Sequence, residues 1–161
     1  MATRLSPHAS RMTGFTLIEL MVTLVVAAIL LTIAIPSYLT QIRESRRTEA
    51  KTALLDLAGR EETLYSTQNL YSMTPSVLGY GAVPLPIQVG SNYYTLNVQV
   101  PNPNAIVTVP PTPSFLITAA PVAGSSQAQD AACQSFSVDQ LGNRTATDSG
   151  GADNTKTCWG T

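Results

Sequence analysis

The feature that most constrains this chain is the stretch from Leu20 to Ile42, 23 consecutive residues without a charged side chain. As a helix rising about 1.5 Å per residue, it matches the roughly 30 Å hydrocarbon core of a bilayer. Leu, Val, Ile and Met fall on every side of that helix, so the pattern is not that of an amphipathic surface helix. It predicts a segment that sits in lipid or in a dry assembly. The 139 residues outside Phe15–Pro36 contain 54 hydrophobic ones, so the rest of the chain is ordinary or slightly lean. The apolar run is longer than the roughly 7–15 residues of a cleaved secretory signal, and no A-x-A-like site follows it before Pro36.

Residues 1–14 differ in kind. They carry Arg4, His8 and Arg11 and show no apolar periodicity, as a polar leader would. The junction reads Gly14-Phe15-Thr16-Leu17-Ile18-Glu19-Leu20, followed by the apolar run and Pro36. This resembles the class III signal of type IV pilins and type II secretion pseudopilins: a Gly before an aromatic residue, then a lone Glu in an otherwise apolar helix. The resemblance implies that a membrane-embedded prepilin peptidase cuts between Gly14 and Phe15 and N-methylates Phe15. Residue chemistry supports the same positions. Gly14 lacks a Cβ and lets a protease approach an extended backbone. Glu19 is costly in a membrane helix and is functional by default, with the cationic amine of Phe15, in its own chain or a neighbour's, as the natural partner. A dry ion pair of that kind can fix subunit register. Pro36 removes a helical hydrogen bond and crowds the carbonyl of Thr32, so a kink or local melting near residues 28–36 is expected. In assembled pili of this family a stretch before the corresponding Pro is unwound. Many relatives have a Gly about eight residues earlier, where this chain has Ala28.

From Ser37 the helix is expected to continue as an amphipathic one. Ile42, Ala50, Ala53, Leu54, Leu57, Leu64 and Tyr65 recur at three- and four-residue spacings, with Arg43, Glu44, Arg46, Arg47, Glu49, Lys51, Arg60, Glu61 and Glu62 read as the other, charged face. It ends near Ser66 to Gln68, about 78 Å from Phe15. Such a helix resembles the pilin stalk, half of it inside a head. Arg43, Arg46, Arg47 and Lys51 read best as a solvated helix face; inter-subunit ion pairing or DNA contact is the sharper alternative. These cations also conflict with the positive-inside rule. The pilin motif and the paired cysteines outweigh that conflict and place the head in the periplasm.

After residue 68 the composition shifts. Residues 69–92 read as a connecting loop, and six of the 11 prolines fall between Pro101 and Pro121. Tyr94–Val100, Ala105–Val109, Ser114–Ala120, Cys133–Leu141 and Arg144–Thr147 read as half-buried antiparallel strands, with a turn at Gly142-Asn143. Cys133 and Cys158 would bond in an oxidising periplasm, closing a loop of about 25 residues, with two free structural thiols as the rival reading. The run from Cys133 through Asp139, Gly142 and Thr145, then Cys158-Trp159, resembles the PilE-type branch of type IVa pilins and implies its disulfide-bounded D-region.

The expected fold class is α+β, the type IV pilin fold: a long N-terminal helix, transmembrane then amphipathic, packed on a small antiparallel β-sheet. The expected divisions are a leader, 1–14; a transmembrane or filament-core helix, 15–36; its amphipathic continuation, 37–68; and a head, 69–161, holding the D-region, 133–158. Catalysis finds no support. The only histidine is His8, in the leader, so no imidazole remains for acid–base work after cleavage, and no phosphate loop or nucleophile elbow is present. No cofactor and no metal site are expected, since two cysteines lack further ligands. The resemblance implies a structural subunit, a minor pilin, of a type IV pilus. It would lie in the inner membrane before assembly and in the extracellular pilus after it. Its partners would be other pilin subunits, the prepilin peptidase, the membrane and the inner-membrane assembly machinery. Such fibres support adhesion, twitching motility or DNA uptake. The alternatives are a type II secretion pseudopilin and a minor pilin whose head binds DNA or a surface. Nucleic acid is the weaker case, because beyond residue 68 the only cations are Arg144 and Lys156.

Overall fold

The computed structural model of the protein describes residues 14–82, 84–100 and 114–160. A single α-helix, α1, spans Leu17–Gln68. Five strands follow: β1 (Ile87–Val89), β2 (Tyr94–Gln99), β3 (Leu116–Pro121), β4 (Ser135–Asp139) and β5 (Arg144–Thr147). They form one antiparallel sheet in the order β1-β2-β3-β4-β5. By its internal contacts the chain divides into two units, Met1–Thr40 and Gln41–Thr161.

In the first unit, helix residues from Leu17 to Leu39 are exposed, and α1 contains a window long and apolar enough to cross a membrane. Thr23 and Thr32 point their hydroxyls back to the carbonyls of Leu20 and Ile29, so both threonine hydroxyls are satisfied within the helix. The melting expected near residues 28–36 is not present. The helix is continuous through Pro36, and the hydroxyl of Thr40 donates to the carbonyl of Pro36 at 3.1 Å. Pro36 gives up only one backbone donor, and the preceding turn, with Ala28 in place of a glycine, keeps its helical propensity.

In the second unit, α1 buries Ala50, Leu54, Leu57, Glu61 and Leu64, a ladder of four- and three-residue steps. The sheet buries one face. Its central row crosses all five strands, Ile87 beside Leu96, Leu96 beside Ala119, Ala119 beside Phe136 and Phe136 beside Ala146. A second row joins Val98, Ile117 and Val138. These residues and the α1 ladder make a single core, with Tyr71, Leu78 and Phe115 closing one part of it. Each large apolar side chain so buried contributes about 1.5–3 kcal/mol.

Two expectations are corrected here. Residues 69–92 contain strand β1, which alternation did not reveal because three residues are too short to show a period. Glu61 belongs to the buried ladder, four residues after Leu57 and three before Leu64, and not to the charged face. The expected strand Ala105–Val109 and the leader residues 1–13 lie outside the described residues.

Cys133 and Cys158 are joined in a disulfide across a sequence separation of 25, and both are fully buried. The bond ties the start of β4 to the C-terminal turn Lys156–Gly160, a segment with little apolar material of its own. The double replacement Cys133→Ser with Cys158→Ser is expected to cost roughly 3.5 kcal/mol. Chemical denaturation of the oxidised wild type beside the double variant reads this directly, and equal midpoints would contradict it.

Candidate functional site

Two regions carry functional chemistry. The first is the N-terminal motif. Thr16 caps α1: its Oγ1 accepts the backbone N–H of Glu19 at 3.3 Å, and its carbonyl accepts the N–H of Leu20 at 3.2 Å. Thr16 and Glu19 stand in the spacing of a capping box, and the Glu19 carboxylate lies in the first turn, where the helix dipole favours negative charge. Phe15 is 82% exposed, and among the described residues nothing approaches Gly14 within 4 Å of the position a Cβ would take. The motif is thus an accessible backbone segment followed at once by a capped helix. Thr16 was the residue that sequence reasoning passed over, although its spacing from Glu19 was the available signal. Pro36 lies a full helical segment away from this cap, inside α1.

The second region surrounds Trp159, the chain's single tryptophan. Its indole N–H donates to the carbonyl of Thr145 at 3.0 Å, and its ring meets Phe136 edge to face at 5.9 Å. The disulfide fixes the neighbouring Cys158, so the ring is held in place. The guanidinium of Arg144 stands 5.3 Å from the ring centroid, and the ammonium of Lys51 lies 5.9 Å from it. Lys51 comes from α1, Arg144 from β5 and Trp159 from the C-terminal turn. Among the described residues the ion pairs are Arg47–Asp130 and Arg60–Asp56, so neither Lys51 nor Arg144 is neutralised by a carboxylate. Burial, and then the nearby Arg47, lower the pKa of Lys51. Lys156 is exposed in the same turn as Trp159. The acids of the segment are committed locally: Asp148 accepts the N–H groups of Gly150 and Ala152, and Asp153 accepts that of Thr155.

The basic cluster on α1 is not a solvated face. Arg47 makes a two-pronged pair with Asp130, both contacts 2.7 Å, with side-chain exposures of 13% and 3%. Its pKa is raised, first by the hydrogen bond to Asp130. Arg46 donates to Ser126 at 2.7 Å and lies 3.5 Å from the ring centroid of Tyr93. Gln127, fully buried, donates to Tyr94 Oη and Asp130 and reaches the carbonyl of Arg43. Burial is the main reason that the Tyr94 phenol is pushed up to about 12. These arginines fasten the helix to the short turn Ser126–Gln129, a role invisible in sequence because their partners lie about 80 residues away.

The family model described as "Type IV minor pilin ComP, DNA uptake sequence receptor" matches residues 36–137, well over half of the chain. The chain belongs to this family of type IV minor pilins. A second model, the prokaryotic N-terminal methylation motif, matches residues 10–35. The type IV major pilin protein PilA of Myxococcus xanthus is 36% identical over 77 residues, 48% of this chain and 35% of that protein. The chain thus spans about a third of the length of that curated relative. A solved type IV pilin from Shewanella oneidensis shares 22% sequence identity over 63% of this chain and 89% of its own, with a TM-score of 0.43. A pilin is a structural subunit and not an enzyme.

The surroundings of Trp159 give a direct electrostatic readout. With each ion's quenching normalised to that of free N-acetyltryptophanamide, iodide is expected to quench its fluorescence several-fold more than caesium does, because two unneutralised cations flank the ring. The variant Lys51→Gln with Arg144→Gln should bring the two quenchers close together. Equal quenching in the wild type would show that the ring does not sit in a positive field.

Proposed function

We propose that the chain is a minor subunit of a type IV pilus, processed between Gly14 and Phe15, methylated on Phe15, and incorporated through its apolar helix with Glu19 pairing the Phe15 amine of a neighbouring subunit. Before assembly the helix holds it in the inner membrane with the head in the periplasm. The observation that carries this reading is the N-terminal segment itself: an accessible Gly14-Phe15 bond, a helix cap, one carboxylate and an apolar surface that is exposed along the described helix. Bringing the ladder of exposed Leu, Ile and Val against its copies removes that surface from water, and the carboxylate then needs a cation within the dry core. Glu19→Gln keeps the size and helical propensity but removes the charge. It should leave the mature mass unchanged and reduce the subunit in sheared pili at least about tenfold, with Glu19→Asp partly retained. Wild-type amounts of the Gln variant in pili would overturn the pairing.

DNA uptake is the activity this reading favours over adhesion or motility. It is supported by the family's description as a DNA uptake sequence receptor and by the cationic, aromatic surface around Trp159. The structure adds Lys51 to the two head cations evident in sequence, and three cations correspond to a modest phosphate footprint. Binding of double-stranded DNA to the full-length chain in detergent should therefore fall with salt at a log–log slope of about −2 to −3. Lys51→Gln with Arg144→Gln should flatten that slope by about 2. A salt-independent affinity, or one indifferent to these substitutions, would place any DNA contact elsewhere or remove it.

A further inference from the structure

Glu61 is fully buried and, among the described residues, has no cation partner. Its Oε2 accepts the backbone N–H of Ser72 at 3.0 Å, while its Oε1 has no hydrogen-bond partner among the described residues. The next residue, Glu62, accepts the hydroxyl of Tyr71 at 3.0 Å. Two successive glutamates of α1 therefore hold two successive residues of the segment that leaves the helix. Tyr71 is held independently, stacked on Tyr65 with ring centroids 4.8 Å apart and edge-on to Phe115 at 4.9 Å. Among the described residues Ser72 has only Glu61 and a local turn contact to Thr74. Beyond it the segment exposes the apolar side chains of Met73 and Val77 before it is anchored again by the buried Leu78.

A neutral carboxyl suits this position. It still accepts the Ser72 N–H through its carbonyl oxygen, and it leaves no buried charge. An ionised one has two anionic oxygens, one hydrogen bond and no counter-ion, a state that only water can relieve. The charged and titratable groups acting on it are Glu62, from its own helix, and Tyr71, from the loop. The neighbouring cation, Arg60, is engaged by Asp56 and the carbonyl of Leu78. We propose that Glu61 is a pH-sensitive latch for the start of the segment following α1: protonated, it holds Ser72 against the helix, and ionised, it admits water and releases residues 72–74, while the buried Leu78 and its contact with Arg60 keep the rest in place. Burial chiefly raises its pKa to about 7, opposed by the Ser72 hydrogen bond and reinforced by Glu62. Because the folded value lies above the unfolded one, the latch's contribution is complete below about pH 4.5 and is lost as pH rises through about 7.

Hydrogen exchange of the full-length protein in detergent, at pH 5.5 and 8.5 and corrected for intrinsic exchange rates, tests this. Protection of the Ser72 amide should fall about tenfold in the wild type, while the amides of Leu78 and Tyr80 keep theirs. It should stay level in Glu61→Gln, and strands β3 and β4 should be unaffected in both. An equal fall in the variant, or no fall in the wild type, would overturn the latch. A second measurement needs no variant: the Glu61 side-chain carboxyl 13C resonance should titrate near neutrality, and a midpoint in the ordinary glutamate range would overturn it as well.

Discussion

Four apolar side chains of α1, Ala50, Leu54, Leu57 and Leu64, share one core with the inner face of the sheet, and the rest of the head is arranged around that contact. Each partner needs the other's apolar face. A five-stranded sheet with one apolar face needs a cover, and a helix whose stripe faces water gains little beyond its backbone bonds. Small residues at Ala50, Ala119 and Ala146 leave room for Tyr94, Phe115 and Phe136, the largest side chains that are fully buried. At the helix end nearer Thr40 the contact is finished by polar groups. Arg47, Asp130, Gln127 and Tyr94 form a connected set in which a two-pronged ion pair sets how the turn Ser126–Gln129 meets the helix. Such a buried set adds direction to a contact that apolar area alone would leave free to slide.

The same helix serves two environments. Up to Leu39 its apolar side chains are exposed in the isolated chain, and Thr23 and Thr32 turn their hydroxyls to the preceding carbonyls. From Ala50 onward it is striped and charged. The lone acid of the apolar part, Glu19, stands at the capped first turn, where the backbone dipole already favours it before any partner arrives. The cap and the proposed ion pair ask for the same residue at the same place, which gives a physical reason for one carboxylate in so apolar a helix.

Much of the head was legible because its signals are local. The alternation Tyr94, Leu96, Val98 matches β2 residue by residue, and the Gly142 turn and the strands on either side lie where the sequence put them. The helix end at Gln68 follows from the loss of the apolar stripe. What failed was local evidence that was too short or too general. Strand β1 is held by its pairing with β2 and has no period of its own. Glu61 looked like its charged neighbours until the core placed it between Leu57 and Leu64.

The sequence by itself determined the apolar segment, the Gly14-Phe15 junction, the lone Glu19 and the α+β order of elements, because each depends on neighbours a few residues apart. Tertiary structure alone decided what the charges do. Arg47 became an anchor for Asp130, Lys51 and Arg144 met over Trp159, and Glu61 lost its access to water. A charge has no fixed role along a chain: its energy is set by burial and by the nearest opposite charge or ring, and both are supplied by residues far away in sequence.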